Sequence, residues 1–190
     1  MDFQSRFDQK YRDNPNVFGE SPMPVLEKAL RYVSSGKALD LGVGNGRNAA
    51  FLLSKSFEVT GIDISEEGIK ILKQKFPDND KLKLRVINAV DFETSEKYDL
   101  VYAIGLLHFL KFEEIKKLIE KMKRFTKKGG INVIGAKMTQ NYRGDLPYVF
   151  GHDELKDFYE KDGWEIKEDE EIDRGHSKLA TLIAQKVDKK

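Results

Sequence analysis

The sequence predicts an α/β fold in which an open, Rossmann-like sheet of mostly parallel strands carries helices on both faces. Three observations support this prediction. Apolar runs of strand length alternate five times with helical segments, a glycine-rich turn follows the first strand, and two extended runs resembling a β-hairpin end the chain. The chain has 190 residues, the length of one domain with its own core, so we expect a single domain over residues 1–190.

The N-terminal elements are expected to be helical. Three aromatic residues recur every four positions there: Phe3, Phe7 and Tyr11. They form one apolar stripe, so a short helix is expected before Pro15. Such a stripe is usually core, but a helix that precedes the first strand also suits a lid, and for residues 1–20 both interpretations stay open. A second helix is expected to begin with Ser21 as N-cap and Pro22 in its first turn, and to end near Gly36.

The alternating part of the chain predicts five strands and the helices between them. The strands are expected to end at Leu41 and to cover 58–63, 82–87, 98–104 and 131–136. The helices are expected at 47–55, from an N-cap at Ser65 to Pro77, at 115–125 before a closing Lys127-Lys-Gly-Gly, and at 153–162. Residues 98–104 are nearly all apolar, which is typical of a strand buried on both faces of a parallel sheet. Two extended runs, 164–168 and 179–186, predict the final hairpin.

The turn after the first strand carries the strongest functional signal. Three glycines fall within five positions: Gly42, Gly44 and Gly46. Glycine is used where the backbone needs positive φ or where a ligand must approach without a Cβ in the way. Asp40 precedes this turn, and Asp63 ends the second strand about twenty residues later. An acid there is where doubly wound folds bind ribose hydroxyls, so an adenosine-containing ligand is the first inference.

Composition excludes several other classes of protein. Thirty-three basic residues against thirty-two acidic ones leave a net charge of +1, which provides no broad surface for nucleic acid. The absence of cysteine excludes disulfides, thiolate zinc sites and a cysteine nucleophile, and we expect no metal centre. No apolar run reaches the length of a membrane span and the N-terminus has no apolar signal region, so we expect a cytoplasmic protein without membrane association.

The stretch Leu39-Asp-Leu-Gly-Val-Gly-Asn-Gly-Arg-Asn resembles motif I of the class I S-adenosylmethionine-dependent methyltransferases. The dinucleotide fingerprint GxGxxG fits less well, because the third glycine comes one residue early and Asp40 has no role in it. The resemblance covers the whole chain and implies seven strands with the last one antiparallel. Further matches indicate the tellurite-resistance type: Gly46-Arg-Asn, Gly105-Leu-Leu-His-Phe-Leu, Glu154-Leu with Tyr159 and Trp164-Glu, and His176 before Ala180-Thr-Leu-Ile-Ala.

The resemblance implies S-adenosylmethionine as cofactor and S-adenosylhomocysteine as product. Asp40 would lie near the methionine amine, Asp63 would hold the ribose hydroxyls, and Asn88 would replace an aspartate that accepts from the adenine amino group. For Asn88, a cap at the strand end is an equal alternative. The implied cofactor-binding residues are Asp40, Gly42, Gly44, Asn45, Gly46, Asp63, Ile64, Asn88, Ala89, Ala103 and Ile104.

The expected reaction is in-line methyl transfer to a small-molecule acceptor, an oxyanion, a thiol or an amine. Positioning can supply most of the acceleration of such a displacement. Arg174 and His176, in the loop that enters the last strand, are the catalytic candidates, since they can hold an anion or accept a proton. A surface loop with charges placed by chance is the alternative. The candidate acceptor contacts are Tyr11, Phe18, Tyr142 and Arg143.

Two other functions stay open at this point. A binding module for S-adenosylmethionine or S-adenosylhomocysteine would share the cofactor pocket and lack the acceptor site. A nicotinamide oxidoreductase would bind NADH instead. Methylation of macromolecules is disfavoured, because the sequence has no basic stripe, no appended recognition domain and no Asn/Asp-Pro-Pro-Tyr motif.

Overall fold

The structure, a computed structural model, describes residues 2–138, 146–160, 163–173, 175 and 177–187. Its elements alternate as the sequence predicts, and a 3₁₀ turn at Leu107–Phe109 follows the fourth strand. In chain order they are α1 (Phe3–Asp13), α2 (Pro24–Ala29), β1 (Lys37–Leu41), α3 (Arg47–Ser54), β2 (Glu58–Asp63), α4 (Glu66–Lys75), β3 (Leu82–Val86), β4 (Tyr98–Ile104), α5 (Phe112–Phe125), β5 (Thr126–Lys137), α6 (Glu154–Asp157), β6 (Trp164–Asp173) and β7 (Lys178–Lys186).

The seven strands form one sheet in the order β3-β2-β1-β4-β5-β7-β6. The first five are parallel, and β7 runs antiparallel to both of its neighbours. The predicted open sheet with an antiparallel last strand is therefore confirmed. The chain builds outward from β1 to β3 and then returns to place β4 on the other side of β1. In open α/β sheets this reversal opens a crevice at the carboxyl ends of the strands, where ligands bind.

Helices cover both faces of the sheet, as predicted. Along β4, Val101 and Ala103 pack with the apolar side of α5, whereas Leu100 and Tyr102 pack with α2, α3 and α4. Burial of alternate side chains on opposite faces explains why this strand is almost uninterruptedly apolar. Among the described residues, no helix combines the length and apolar character that crossing a bilayer requires.

The second helix begins later and ends earlier than predicted. Its N-cap is Met23 and its first residue is Pro24, so the prediction of Ser21 as cap was wrong. The residue before a proline is restricted to extended conformations, and Met23 has φ −71° and ψ 133°. The helix stops at Ala29 instead of near Gly36, and three-residue turns such as Tyr32 N–H to the Ala29 carbonyl follow it.

Three boundaries in the second half also differ from the predictions. β5 begins at Thr126 rather than Ile131. The segment 127–130, which was expected to close the preceding helix, is a bulge inside the strand, because Thr126 pairs with Tyr98 and Ile131 with Leu100. α6 is a single turn that ends at Asp157, although a helix over 153–162 was expected. β6 extends to Asp173, past the predicted end at 168.

The extended part of β6 pairs with β7 along its whole length, although its sequence is strongly acidic. Its acids pair with basic residues of α2 and of the turn after it, since Lys28 lies 2.6 Å from Glu170 and Arg31 lies 3.2 Å from Glu168. Long-range partners of this kind explain why a charged segment that was interpreted as a loop is a strand.

A buried chain of hydrogen bonds ties α5, β5 and the end of α6 together. The Tyr159 hydroxyl donates to Asn132 Oδ1 at 3.0 Å, and Asn132 Nδ2 donates to Thr126 Oγ1 at 2.6 Å. The Thr126 hydroxyl donates in turn to the Met122 carbonyl at 2.7 Å. Asn132 and Tyr159 are fully buried, so each polar atom in this chain depends on its protein partner.

We expect Tyr159→Phe to lower the free energy of unfolding by about 1–3 kcal/mol, because it leaves the buried Asn132 oxygen without its donor. Urea denaturation with an unchanged slope measures the effect. Tyr32→Phe is the matched control: it removes a hydroxyl that donates to Glu168 at the partly exposed sheet edge, and should cost less. Equal losses in the two variants would contradict the assignment.

Candidate functional site

The glycine turn lies at the switch point of the sheet and is tied to β2. The backbone N–H groups of Gly42 and Val43 both donate to the Ile62 carbonyl at 2.9 Å. Gly46 caps α3 in the left-handed conformation, at φ 77° and ψ 19°, without a side-chain cap. The turn therefore directs the N-terminus of α3, the positive end of its dipole, into the crevice.

Asp63 bridges the tips of β1 and β2. Its Oδ2 accepts from the Gly44 N–H at 2.8 Å, and its Oδ1 accepts from the Ser65 N–H at 2.8 Å. Burial raises the pKa of Asp63, and these two backbone donors counteract the increase. Each carboxylate oxygen can accept a further hydrogen bond, so the fixed group can receive two hydroxyls from a ligand.

Asp40 is buried behind the same turn, only 2% exposed. Its Oδ2 accepts from the Tyr102 hydroxyl at 2.7 Å, and the two residues are register neighbours on β1 and β4. Burial raises the pKa of Asp40 to about 8; the Tyr102 hydrogen bond opposes this increase and the charge of Asp63 adds to it. At pH 7 this carboxyl group is therefore mostly protonated.

Tyr11 of α1 lies directly on the glycine turn and is buried. A Cβ placed on Gly44 would lie 2.6 Å from the Tyr11 hydroxyl oxygen, so glycine at this position permits the close approach of the phenol. Burial, followed by the charges of Asp63 and Asp40, raises the pKa of Tyr11 well above its usual value. The phenol therefore stays protonated, close enough to both carboxyl groups to be influenced by their charges.

Residues 2–23, which we call the N-terminal strap, are fastened to the first turn of α4. Asp8 Oδ1 accepts from the Ser65 hydroxyl at 2.6 Å and from the Glu67 N–H at 3.2 Å. Arg12 forms an ion pair with Glu67 at 3.6 Å. An aspartate at a helix N-terminus is favoured by the helix dipole, so this contact holds α1 over the tip of β2.

The second half of the strap is fastened to the glycine turn and to α3. Three side chains make these contacts: Asn45 Nδ2 donates to the Gly19 carbonyl at 3.0 Å, Arg47 donates to the Phe18 carbonyl at 2.6 Å, and Asn48 Oδ1 accepts from the Met23 N–H at 3.0 Å. The Phe18 ring lies 5.8 Å from the Tyr11 ring, edge to face. The structure thus brings the Tyr11 and Phe18 rings together beside the glycine turn, and a lid over residues 1–20 stays a prediction.

A cleft of about 420 Å³ opens beyond the tip of β2, and Ile64, the residue after Asp63, lines it. Its walls come from the ends of β2 and β3 and from the strap: Ile64, Val86, Ile87, Asn88, Asp2, Phe3 and Gln4. Asn88 Oδ1 accepts from the Val90 N–H at 2.9 Å, which is the strand-end cap considered for this residue, and one lone pair remains for a ligand. Ala89 is buried beneath it. A partly apolar cleft beside a carboxylate suits a purine base next to its ribose.

The end of β4 lies beside the glycine turn and forms another wall of the crevice. Ala103 is fully buried and Ile104 is partly buried, and Leu106 packs against Gly42. His108 is buried in the 3₁₀ turn, and its Nδ1 has no hydrogen-bond partner in the described part of the chain. Burial, together with the charge of Lys137, lowers the pKa of His108 to about 3, so the imidazole is neutral.

The roles predicted for the catalytic and acceptor residues stay predictions. β7 begins beside the end of β5, with the Met138 N–H donating to the Lys178 carbonyl at 3.0 Å, so the first residues of β7 lie at the carboxyl edge of the sheet. Arg174 and His176 in the connection between β6 and β7, and Tyr142 and Arg143 after β5, lie outside the described residues.

Sequence reasoning missed three residues of this site. Tyr102 was detectable in principle, because strand alternation and parallel register place it beside Asp40. Asp8 fastens the strap to Ser65, but no local pattern distinguishes it from other helical acids. His108 was included only in the match Gly105-Leu-Leu-His-Phe-Leu, and its position directly after β4 is the signal that points to it.

Comparisons with known proteins agree with this geometry. A family model described as "Tellurite resistance protein TehB" matches residues 5–181. A curated relative from Haemophilus influenzae, "Probable S-adenosyl-L-methionine-dependent methyltransferase TehB", is 35% identical over 175 residues, which cover 83% of this chain and 60% of the relative. The chain thus spans less than two thirds of that protein.

Two solved structures show the same fold. The crystal structure of TehB from Haemophilus influenzae has a TM-score of 0.77 and 28% identity, and the match covers 96% of this chain and 66% of that one. The 1,6-didemethyltoxoflavin-N1-methyltransferase of Burkholderia thailandensis, solved with bound 1,6-didemethyltoxoflavin and S-adenosylhomocysteine, has a TM-score of 0.79 and 17% identity, and the match covers 97% of this chain and 87% of that one.

We expect Asp40→Asn to stabilise the ligand-free protein increasingly as the pH rises. The pKa of Asp40 is about 8 in the folded protein and near 3.8 in an exposed carboxyl group. Between these values the folded state holds a proton that the unfolded state has released, so the wild type loses stability as the pH increases. Asparagine does not ionise and still accepts from Tyr102.

Thermal unfolding of both proteins at pH 5, 7 and 9 measures this difference. The melting temperature of the variant should exceed that of the wild type by a margin that grows with pH. A margin that is independent of pH would contradict the protonated state assigned to Asp40.

Proposed function

The chain belongs to the TehB family, and from that premise we propose that it transfers a methyl group from S-adenosylmethionine to a small-molecule acceptor. The observation that carries this proposal is the pair of carboxyl groups around the glycine turn. The Asp63 carboxylate accepts from the Gly44 and Ser65 N–H groups, and each of its oxygens can accept one more hydrogen bond. The Asp40 carboxyl group is buried beside the same turn. Two ribose hydroxyls and an ammonium group are the complementary ligand groups.

The residues present fit this cofactor. Asp63 has one remaining acceptor site on each oxygen for the ribose, and the cleft of about 420 Å³ lined by Ile64 and Asn88 adjoins it. The amino-acid end would lie toward Asp40, along Gly42 and the end of β4. Tyr11 has a protonated hydroxyl in the same region and can donate to a carboxylate.

Bound S-adenosylmethionine would supply a methyl group on a positively charged sulfur, which leaves as a neutral thioether when an acceptor displaces it in line. The chain's contribution is positioning, because well-oriented reactants gain effective molarities on the order of 10⁵ M or more. The N-terminal strap would exclude water from the reacting atoms. His108 adds no positive charge beside the sulfonium, because burial keeps its imidazole neutral.

We propose an oxyanion, a thiol or an amine as the acceptor. Arg174 and His176 would hold or deprotonate it, since an arginine stabilises an anion and a histidine can accept a proton. Tyr11 and Phe18 would cover it from the strap, and Tyr142 and Arg143 would approach from the segment after β5. A strap fastened at both α3 and α4 leaves little room for a macromolecule, which favours a small acceptor.

The main test is binding of S-adenosylhomocysteine, measured by titration calorimetry, with NADH as the competing ligand. We expect Asp63→Ala to weaken the affinity about tenfold or more, because charged hydrogen bonds of about 1.5–3 kcal/mol are lost. Glu66→Ala, an exposed acid on the neighbouring turn, is the matched control and should bind like the wild type. Unchanged affinity in Asp63→Ala would refute the ribose assignment, and binding of NADH alone would refute the proposed function.

For His176→Ala we expect cofactor affinity within about twofold of the wild type and turnover at least tenfold lower, because the acceptor loses a hydrogen-bond partner or a base. The measurement is transfer of a labelled methyl group to a panel of thiols, amines and chalcogen oxyanions. His152→Ala is the control, since His152 is exposed and pairs with Glu171. Wild-type protein that binds the cofactor and methylates no acceptor would favour the non-catalytic binding module.

A further inference from the structure

We propose that Tyr102 is a positioning residue for cofactor binding, whose hydroxyl holds the Asp40 carboxyl group and favours its ionised form when the ligand's ammonium group arrives. This inference rests on the proposed function and deepens it. Tyr102 touches Asp40 and acts through it, so it governs how tightly the amino-acid end of the ligand binds rather than the methyl transfer itself.

Tyr102 and Asp40 are coupled by their burial, by their paired positions in the sheet and by a hydrogen bond. Both side chains are almost fully buried, they occupy paired positions of β1 and β4, and they lie on the same face of the sheet. The Tyr102 hydroxyl donates to Asp40 Oδ2 at 2.7 Å and makes no other hydrogen bond in the described part of the chain. One carboxyl oxygen is thereby fixed, and the second is left for a ligand.

The titratable and charged groups around Asp40 come from β2, α3, α1 and β4. Asp63 of β2 disfavours ionisation, Arg47 of α3 favours it, and Tyr11 of α1 is uncharged because its own pKa is raised. Burial is the largest influence and keeps the proton on Asp40. The Tyr102 hydroxyl is the strongest opposing influence, because a hydrogen bond donated to a carboxylate stabilises the charged form.

This arrangement links ligand binding to proton release. An ammonium group is attracted to an ionised carboxylate and gains little from a protonated one, so Asp40 has to lose its proton when the ligand binds below pH 8. The affinity for the ligand should therefore rise as the pH increases toward 8, and we call this rising part of the pH profile the acidic limb. Without the Tyr102 hydroxyl, Asp40 ionises less readily and the limb should shift to higher pH.

A role in packing alone makes a different prediction. Phenylalanine fills the same volume as tyrosine, so Tyr102→Phe preserves the core and removes only the donor. Tyr98→Phe is a close control: Tyr98 is a buried tyrosine of the same strand whose hydroxyl donates to Glu96 at 3.2 Å, away from Asp40. A change caused by loss of any buried hydroxyl on β4 would appear in both variants.

The experiment is calorimetric titration with S-adenosylhomocysteine between pH 5.5 and 8 for the wild type, Tyr102→Phe and Tyr98→Phe. We expect the acidic limb of Tyr102→Phe to lie about one pH unit higher, with about tenfold weaker binding at pH 7. Tyr98→Phe should follow the wild type. 5′-Methylthioadenosine lacks the ammonium group, so its affinity should show no acidic limb in any of the three proteins.

Each outcome separates this inference from the proposed function. Coincident limbs in Tyr102→Phe and the wild type would overturn the inference, as would an equal shift in Tyr98→Phe. Wild-type protein that does not bind S-adenosylhomocysteine at any pH would overturn the proposed function instead.

A second measurement on the wild type keeps the inference testable if Tyr102→Phe does not fold. Infrared difference spectra of the wild type at pH 6.5 should contain the carbonyl stretch of a protonated carboxyl group that Asp40→Asn lacks. Adding S-adenosylhomocysteine should remove this band, and 5′-methylthioadenosine should leave it in place. A band that is absent from the free protein, or that survives S-adenosylhomocysteine, would overturn the link between Asp40 ionisation and binding.

Discussion

The convergence of two backbone N–H groups on the Asp63 carboxylate is the interaction on which the site depends. Gly44 donates from the turn after β1 and Ser65 from the turn after β2, so one side chain joins the two strand tips. Ser65 also begins α4 and holds the strap through Asp8. The glycine turn, the first turn of α4 and the N-terminal strap thus share one anchor, and the crevice lies between them.

Much of the fold was predictable because its determinants are local. The apolar run of β4, the glycine turn and the Ser65 cap are patterns of a few residues, and each was confirmed with close boundaries. The predictions that were wrong concern features that depend on residues distant in the sequence. The bulge at 127–130 requires pairing with β4, and β6 extends because it pairs with β7 and α2 neutralises its acids.

The same distinction applies to the site. Asp40 and Asp63 were identifiable from their spacing around three glycines, because they lie at the ends of consecutive strands. The protonation of Asp40 was not, since it results from complete burial and from a tyrosine 62 positions away. The position of the strap over the crevice depends on contacts between Asp8 and α4 that the aromatic stripe of α1 does not specify. Local sequence identifies the groups of this site, and their electrostatic state comes from the packing around them.

The acidic face of β6 has a consequence for association between molecules. β6 is the outermost strand of the sheet, so one side of its backbone pairs with no other strand in the described part of the chain. An unpaired strand edge is a template on which another chain can add a strand, and charged side chains along the edge strand oppose such pairing. Glu168 and Glu170 are held by Lys28 and Arg31 of the same molecule. The ion pairs that stabilise the acidic part of β6 therefore also keep charged side chains along this edge, where they oppose edge-to-edge aggregation.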